Sequence, residues 1–439
     1  MKFISFFYFF SINKKINYNK MDIFERLKQN PGPLGQFADY GEGYYVFPQL
    51  KGEIGPVMEF QGKKVITWSI NNYLGLANHP EVRKADADAA AQYGMAYPMG
   101  ARAMSGQTDY HAQLEEELAD FVQKESSYLM NFGYQGMVST IDALVSKNDV
   151  IVYDAECHAC IVDGVRLHFG KRFIYQHNNI ESFEKTIIRA KKIADRQGGG
   201  VLVITEGVFG MTGKQGILKE IAAYKDEYKF RLLVDDAHGF GTLGKTGAGA
   251  GEEQGCQDAI DIYFSTFAKS MAGFGAFIAG NKDIIRILKY NLRSQIFAKS
   301  LTMPMVIGGL KRLELLRSQP ELKDKLWHNV EKIQKGLQDR GFDIGGSDTC
   351  VTPIVLNGSP IEATVLAKEM REEYGIFVSV VVYPVIPKGM IIFRIIPTAA
   401  HEDEHIEYTL NSFAEIKEKL ADGYYKRKAE ELNVDFVQY

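Results

Sequence analysis

The sequence predicts an α/β protein with a large, mostly parallel sheet and a smaller C-terminal α+β domain. Short apolar runs alternate with helical stretches as far as about residue 280, and the pattern becomes richer in strands after about residue 350. This alternation is typical of a parallel sheet covered by helices on both faces. The chain has 439 residues, 46% of them hydrophobic, which is enough for two or more structural units.

The apolar runs of the first part are continuous, as expected for strands that are buried on both faces. Strands are predicted at 127–131, 149–154, 171–176, 200–207, 230–236, 260–267 and 276–280. Helical spacing predicts helices at 111–123, 180–197 and 218–228.

The second part begins with a predicted helical stretch over about 304–340 and then changes in character. Strands are predicted at 351–356, 376–385 and 390–397, with helices at 363–375 and about 403–420. We therefore divide the chain into an N-terminal extension, an N-terminal arm, a large α/β domain and a C-terminal α+β domain, at residues 1–20, 21–75, 76–310 and 311–439.

Residues 3–12 form an apolar run, FISFFYFFSI, behind Lys2. A run of this length is too short to span a bilayer, which takes about 20 residues. No A-x-A-like cleavage site follows it. We interpret residues 1–20 as a dispensable extension ahead of Met21; the alternative is a segment that faces a membrane.

Composition excludes some classes of protein. Lys and Arg number 51 against 55 Asp and Glu, a net charge of −4, so the chain lacks the basic surplus of nucleic-acid-binding proteins. Four cysteines do not make a disulfide framework, which favours a cytoplasmic location. Cys157 and Cys160 form a single C-x-x-C without a second ligand pair, so we expect buried thiols and no metal, with a metal site as the alternative.

Three groups of polar residues follow predicted strands, where functional side chains gather in α/β sheets. Asp235 and His238 follow one strand, Thr266 and Lys269 another, and His158 a third. Each alone is an ordinary polar residue at a strand end. Together they suit pyridoxal phosphate (PLP): the lysine forms an imine and moves protons, the aspartate pairs with the pyridinium nitrogen, and hydroxyl and backbone N–H groups hold the phosphate.

A competing motif lies in the same region. Residues 239–246, GFGTLGKT, fit the P-loop expression G-x-x-x-x-G-K-[ST]. A P-loop requires a helix that begins at its Lys-Ser/Thr, but GAGAGEEQG follows here and is too rich in glycine to begin one. We therefore favour a chance match over a nucleotide triphosphatase.

From about residue 44 to 420 the chain resembles the α-oxoamine synthases, PLP enzymes that condense an amino acid with an acyl-CoA and release CO₂. The motifs that carry the resemblance are NNYLGLANHPEV (71–82), HAQLEEELADF (111–121), HACIVDGVRL (158–167), VDDAHGFGTLGKTGAG (234–249), STFAKSMAGFGAFIAG (265–280) and RIIPTAAH (394–401). The resemblance implies the PLP fold type I and a homodimer with shared active sites, in which the segment around Ser300 is lent to the partner.

The resemblance also implies roles for four residues around the cofactor ring. Lys269 resembles the lysine that binds the cofactor and removes the Cα proton, and Asp235 resembles the partner of the pyridinium nitrogen. His158 resembles the histidine stacked on the ring. His238 resembles the one near the ring oxygen, where it can also polarise the thioester carbonyl.

Five further residues resemble the family's binding groups. Gly133 and Tyr134 resemble the phosphate loop, helped by Thr266. Asn71 and Arg394 resemble the groups near the substrate carboxylate, which an arginine fork grips well.

The chain departs from the family pattern at Gly210. The family usually has T-D-G-x-F-S-M where this chain has TEGVFGM (205–211), so the serine expected to touch the ring oxygen is missing. The usual G-G-F is Gly275-Ala276-Phe277 here. These departures affect individual cofactor contacts and leave the expectation of PLP unchanged.

The signals for the substrate are divided. Residues 266–280 and 291–304 resemble serine palmitoyltransferases, whereas YPVIPKG (383–389) resembles 2-amino-3-ketobutyrate CoA ligases. We expect serine and a long-chain acyl-CoA to give a sphingoid-type 3-oxo amine, with peripheral membrane contact through the lipid product. The alternatives are a glycine C-acetyltransferase, an 8-amino-7-oxononanoate synthase, or the same reaction on cysteate. A regulatory homologue that has lost its lysine is disfavoured because Lys269 is present.

Overall fold

The computed structural model describes residues 22–30, 32–35, 38–383, 386 and 388–432, so the predictions for residues 1–20 fall outside it. The strands in the described residues are β1 (Leu50–Lys51), β2 (Val57–Phe60), β3 (Lys63–Thr67), β4 (Ser126–Met130), β5 (Val150–Asp154), β6 (Lys171–Tyr175), β7 (Val201–Glu206), β8 (Arg231–Asp235), β9 (Ile262–Thr266), β10 (Ala276–Gly280), β11 (Thr352–Asn357), β12 (Ile376–Phe377), β13 (Ser379–Val381) and β14 (Met390–Ile395).

The helices of the same residues alternate with these strands through most of the chain. They are α1 (Ile23–Gln29), α2 (Gly32–Gly35), α3 (Ala38–Gly41), α4 (Pro80–Tyr93), α5 (Asp109–Phe121), α6 (Gly133–Leu144), α7 (Ala159–Leu167), α8 (Ile180–Gln197), α9 (Leu218–Ala222), α10 (Lys225–Tyr228), α11 (Ala250–Glu253), α12 (Lys282–Lys289), α13 (Arg293–Ile296), α14 (Met303–Ser318), α15 (Glu321–Asp339), α16 (Pro360–Glu372), α17 (Asp403–Ala421) and α18 (Tyr424–Glu431).

The large sheet has seven strands in the order β4-β10-β9-β8-β7-β5-β6. Strand β10 runs antiparallel to both of its neighbours, and the pairs from β9 to β6 are parallel. The prediction of a mostly parallel sheet is confirmed. Because the parallel strands share one direction, their carboxyl ends lie along one edge, where side chains from distant parts of the sequence meet.

Successive residues of these strands are buried in two different cores. In β7, Val201 and Val203 lie in one core, whereas Leu202 and Ile204 lie in the other. Side chains alternate between the two faces of a strand, so a strand must be apolar at every position when helices cover both faces. This double burial explains the continuous apolar runs in the sequence.

The smaller C-terminal domain contains the antiparallel sheet β11-β14-β13, as the sequence predicts. A second sheet, β1-β2-β3-β12, joins the arm to this domain through a parallel pairing of Ile66 with Ile376. Trp68 of the arm lies in the same core as Phe393 and Phe413. The predicted division at residues 310 and 311 falls inside α14, and Val306 and Leu313 of that helix belong to a core of the large sheet.

Some elements differ from their predicted bounds. The helical stretch predicted over 304–340 is interrupted between α14 and α15, because Pro320 has no N–H with which to continue the hydrogen-bond ladder. The helix predicted over 218–228 is divided into α9 and α10, and α18 was not predicted. Within the strand predicted over 376–385, the structure describes residues 376–383, which contain β12 and β13. No helix among the described residues is long and apolar enough to cross a bilayer.

The P-loop-like run does not lead into a helix at Lys245, because α11 begins only at Ala250. Two glycines, Gly239 at the start of the run and Gly249 just after it, instead lie against the buried carboxylate of Asp236. A Cβ at Gly239 or Gly249 would lie 2.1 or 1.8 Å from an oxygen of that carboxylate. The same carboxylate accepts hydrogen bonds from Ala250 N–H (2.8 Å) and the Tyr263 hydroxyl (3.0 Å). The close approach to Asp236 therefore accounts for the glycines without a nucleotide.

Candidate active site

Two carboxylates end adjacent parallel strands at the carboxyl edge of the large sheet. Glu206 ends β7, Asp235 ends β8, and the two residues are paired in register. Both are buried. Burial raises the pKa of Asp235, although the neighbouring Lys269 and His158 oppose the rise; burial and the charge of Asp235 hold the pKa of Glu206 well above its usual range. The edge therefore places two buried carboxyl groups side by side, and a cation beside them would offset the cost of burying their charge.

The hydrogen bonds of Asp235 leave room for such a cation. Its Oδ1 accepts the Ala237 N–H at 3.1 Å, and its Oδ2 lies 3.8 Å from the Cys160 thiol. These are neutral donors, so they do not balance the charge of a buried carboxylate. A protonated pyridine nitrogen fits this donor set. Glu206 instead accepts the backbone N–H of His158 and so fixes the start of α7.

Lys269 lies in the turn that links β9 to β10. Hydrogen bonds from Phe267 N–H to Gly275 O (2.9 Å) and from Gly273 N–H to Phe267 O (2.8 Å) close this turn. Burial lowers the pKa of the Lys269 ammonium, and the negative charges of Asp235 and then Glu206 partly counter this effect. An amine whose pKa is lowered by burial is a better nucleophile and base than an exposed lysine.

His158 is the N-cap of α7, and its Nδ1 accepts the Cys160 N–H at 3.3 Å. Cys160 Sγ lies 3.0 Å from the same nitrogen, which places this thiol in the site rather than in an unrelated core. The Tyr134 ring meets the His158 ring edge to face, with centroids 6.3 Å apart. Burial lowers the pKa of His158, so the ring is held toward its neutral form. Cys157 lies beside β7, with Sγ 3.9 Å from Ile204 O.

His238 is buried next to the carboxyl end of β8. Its Nδ1 is hydrogen-bonded to the hydroxyl of Tyr73 at 2.6 Å. Its Nε2 side lies against Gly210, where an added Cβ would be only 2.2 Å away. Burial, followed by the charges of Lys269 and Arg394, holds the pKa of His238 well below its usual value. The missing serine at position 210 is therefore matched by a histidine ring that lies in its place.

Arg394 and Asn71, which the resemblance implies for the substrate carboxylate, lie close to each other. Arg394 Nη2 lies 3.5 Å from Asn71 Oδ1, and Nη1 donates to Gly210 O at 2.9 Å. Arg394 Nε is buried and has no hydrogen-bond partner among the described residues. A buried guanidinium with a free donor costs free energy unless a ligand satisfies it. The carboxylate of a substrate meets this requirement.

The start of α6 provides a place for a phosphate. Phe132 is its N-cap and makes no side-chain hydrogen bond, so the first N–H groups of the helix stay available for an anion. Gly133 lies close to Thr266, and a Cβ there would be 3.2 Å from the threonine Oγ1. The Tyr134 hydroxyl donates to Asp163, which raises its pKa to about 12. Tyr134 therefore reaches this site through its backbone N–H and its ring.

Ser300, which the resemblance implies is lent to a partner chain, is buried within its own chain. Its Oγ lies 2.9 Å from His111 Nε2, and its N–H donates to Gly100 O at 3.0 Å. The structure thus brings to one edge the residues that the resemblance implies for the ring, the phosphate and the carboxylate, and it holds the Ser300 segment beside them. Glu206 and Tyr73 were not predicted as site residues; the strand-end position of Glu206 could have indicated it, whereas nothing in the sequence indicates the contact of Tyr73.

The fold and this set of groups define a PLP-dependent enzyme of fold type I. The chain belongs to the aminotransferase class I and II family, whose model matches residues 63–413. Within that family it is an α-oxoamine synthase, an acyltransferase that uses PLP. The motifs quoted above had implied both assignments, and both are confirmed.

Several relatives support this assignment. The chain is 65% identical to the cysteate-C-fatty acyltransferase of Capnocytophaga ochracea over 92% of this chain and 96% of that protein. It is 34% identical to the serine palmitoyltransferase of Sphingobacterium spiritivorum, covering 85% and 92%, and 32% identical to the 8-amino-7-oxononanoate synthase of Petrotoga mobilis, covering 91% and 99%. Among solved structures, Sphingomonas wittichii serine palmitoyltransferase aligns with a TM-score of 0.84 at 27% identity, covering 92% and 100%.

Proposed function

We propose that the chain condenses cysteate with a long-chain fatty acyl-CoA, releasing CoA and CO₂ and giving a 3-oxo amine that carries a sulfonate. One observation carries the choice of amino acid: the cysteate-C-fatty acyltransferase is 65% identical to this chain, whereas the serine palmitoyltransferase is 34% identical. Both alignments cover most of the chain. Cysteate therefore replaces serine as the leading substrate, and the fatty acyl chain expected from the sequence is retained.

Bound PLP supplies the electron sink that makes the Cα proton of the amino acid acidic. The amine of Lys269, whose pKa is lowered by burial, takes that proton. The pair of electrons left on Cα forms a bond to the thioester carbonyl carbon, the C–S bond breaks, and the CoA thiolate that leaves takes up a proton from solvent. Loss of the carboxylate as CO₂ follows, and the Lys269 ammonium returns a proton to Cα.

The remaining residues orient the substrate and stabilise charge. Arg394 and Asn71 hold the carboxylate that is lost as CO₂, using the free Nε donor of the arginine. His158 would cover the face of the PLP ring, and Asp235 would keep the pyridine nitrogen protonated. His238, neutral at physiological pH because its pKa is lowered, donates a hydrogen bond where oxygen charge develops. The first turn of α6 and Thr266 bind the phosphate.

The proposed assembly is a homodimer with shared sites. Met104, Phe132 and Phe297 expose 86, 53 and 76% of their surfaces in the single chain. Their segments are adjacent, because Ala101 pairs with Lys299 and Asn131 donates to Lys299 O at 2.6 Å. Exposed apolar side chains on adjoining segments are typical of an interface with a second chain. Sedimentation should therefore show a dimer; a fully active monomer would contradict this assembly.

The substrate is tested by steady-state kinetics with cysteate, serine, glycine and alanine, each with palmitoyl-CoA and acetyl-CoA, and by mass analysis of the products. We expect the highest kcat/KM for cysteate with palmitoyl-CoA. A tenfold advantage corresponds to about 1.4 kcal/mol of transition-state discrimination. Serine or glycine preferred by that factor would overturn the choice of cysteate and leave the shared condensation intact.

A further inference from the structure

Tyr73 is buried, with 0% of its surface exposed, and lies in the NNYLG segment at the end of the arm. Its hydroxyl is 2.6 Å from Nδ1 of His238, a residue 165 positions away in the sequence. This nitrogen is the one hydrogen-bond partner that the hydroxyl has among the described residues. Burial holds the pKa of Tyr73 well above its usual value, so the hydroxyl keeps its proton. The geometry therefore pairs a permanent phenol O–H with one nitrogen of a neutral imidazole.

The direction of this hydrogen bond follows from satisfying both partners. If His238 carried its proton on Nδ1, it would donate to the Tyr73 oxygen, and the phenol proton would lack an acceptor in a buried place. An unsatisfied buried donor costs about 1–3 kcal/mol. If Tyr73 donates to Nδ1, the phenol is satisfied, and the single proton of the neutral ring must lie on Nε2.

We propose that Tyr73 is a positioning residue that fixes His238 as the Nε2–H tautomer and so makes it a hydrogen-bond donor toward the site. Nε2 lies against Gly210, whose carbonyl oxygen is bound by Arg394. The absence of a side chain at residue 210 gives the ring the space for this position. Tyr73 thus acts through His238 and touches no reacting atom, and the inference does not depend on which amino acid is the substrate.

The test measures the tautomer directly by nitrogen NMR of protein labelled with ¹⁵N-histidine, both without cofactor and loaded with PLP. The chain has nine histidines, so the His238 signals are assigned by their loss in His238→Gln. In the wild-type protein we expect an unprotonated Nδ1 and a protonated Nε2 that do not change between pH 6 and 8. A wild-type proton on Nδ1 overturns the proposal whether or not any variant of Tyr73 folds.

The variant Tyr73→Phe removes the hydroxyl and keeps the ring. We expect the His238 proton to distribute between both nitrogens and kcat to fall about tenfold, with KM for the amino acid nearly unchanged. Tyr425→Phe is the matched control, because Tyr425 is similarly buried, at 2% exposure, but lies in the core of the smaller domain. It should keep the wild-type nitrogen pattern and rate. An unchanged tautomer in Tyr73→Phe, or the same shift in Tyr425→Phe, overturns the proposal.

Discussion

Restoring the serine usual at position 210 should damage the enzyme, although the motif of the family contains it. A Cβ at Gly210 would lie 2.2 Å from His238 Nε2 and 2.9 Å from two ring carbons. Ordinary contact begins at 3.4 Å, so the ring or the backbone must move by 3.4 − 2.2, or about 1.2 Å. The backbone of Gly210 does not lie in the left-handed region, so the obstacle is steric and not conformational.

Two magnitudes follow from that displacement. Overpacking a buried site typically costs about 1–3 kcal/mol of unfolding free energy. A displacement of about 1 Å at a reacting group can cost about a hundredfold in rate. Moving His238 also breaks its 2.6 Å hydrogen bond with Tyr73. We expect Gly210→Ser to lower kcat/KM about a hundredfold and to reduce the free energy of unfolding by about 1–3 kcal/mol.

Steady-state kinetics and urea unfolding measure these two effects. Gly55→Ser is the matched control, since Gly55 has no atom within 4 Å of an added Cβ and does not lie in the left-handed region. This control should retain wild-type activity and stability. If Gly210→Ser turns over at the wild-type rate, the ring of His238 does not occupy the place of the serine and the reasoning fails.

Two more predictions concern the lysine and a buried histidine. Lys269→Ala should fold but lose turnover, and borohydride reduction of PLP-loaded wild-type protein should label Lys269 in peptide maps; a label on another lysine would refute this assignment. His401 accepts the Thr398 N–H at Nδ1 and contacts Thr67 O through Nε2, so it is buried neutral, and its pKa is lowered from 6.5 to about 3. Below pH 6.5 the His401 ring binds a proton in the unfolded chain but stays neutral in the folded chain. The contribution of His401 to the free energy of unfolding is therefore fully present above pH 6.5 and is lost as the pH falls toward 3. Between pH 7.5 and 5.5, urea unfolding should show a loss about 1.4 kcal/mol larger for wild type than for His401→Gln, and equal losses would contradict the buried neutral ring.

The strands of the large sheet could be predicted because their burial on two faces leaves a continuous apolar run in the sequence. Residues 276–280, for instance, are predicted and observed as one strand with the same bounds. The acidic residues and the lysine at the strand ends were also predictable, because a charged residue that follows a continuous apolar run lies at the carboxyl edge of the sheet. The interruption near Pro320 was missed because the apolar spacing of α14 continues into α15.

Contacts that depend on distant partners could not be predicted. The bond between Tyr73 and His238 joins residues 165 positions apart, and no local pattern indicates it. The sequence indicated only that Gly210 removes a serine contact, whereas the structure shows that the ring of His238 occupies that space. Glu206 was not predicted as a site residue, yet its carboxylate accepts the backbone N–H of His158 and lies beside Asp235. The sequence motifs did not decide between the possible substrates, because they reflect the condensation chemistry that all of these enzymes share.

Because β3 pairs with β12, the active site can be completed only after a late part of the chain has been synthesised. Ile66 and Ile376 are 310 residues apart, so the sheet that contains β3 cannot be completed until most of the polypeptide has been synthesised. Such pairing of high contact order is slow, because a long loop must close before the contacts form. Asn71 lies in the N-terminal arm after β3, and Arg394 lies in β14. A ribosome-bound fragment ending before β12 could therefore assemble the Lys269 edge of the large sheet while it still lacks a grip on the substrate.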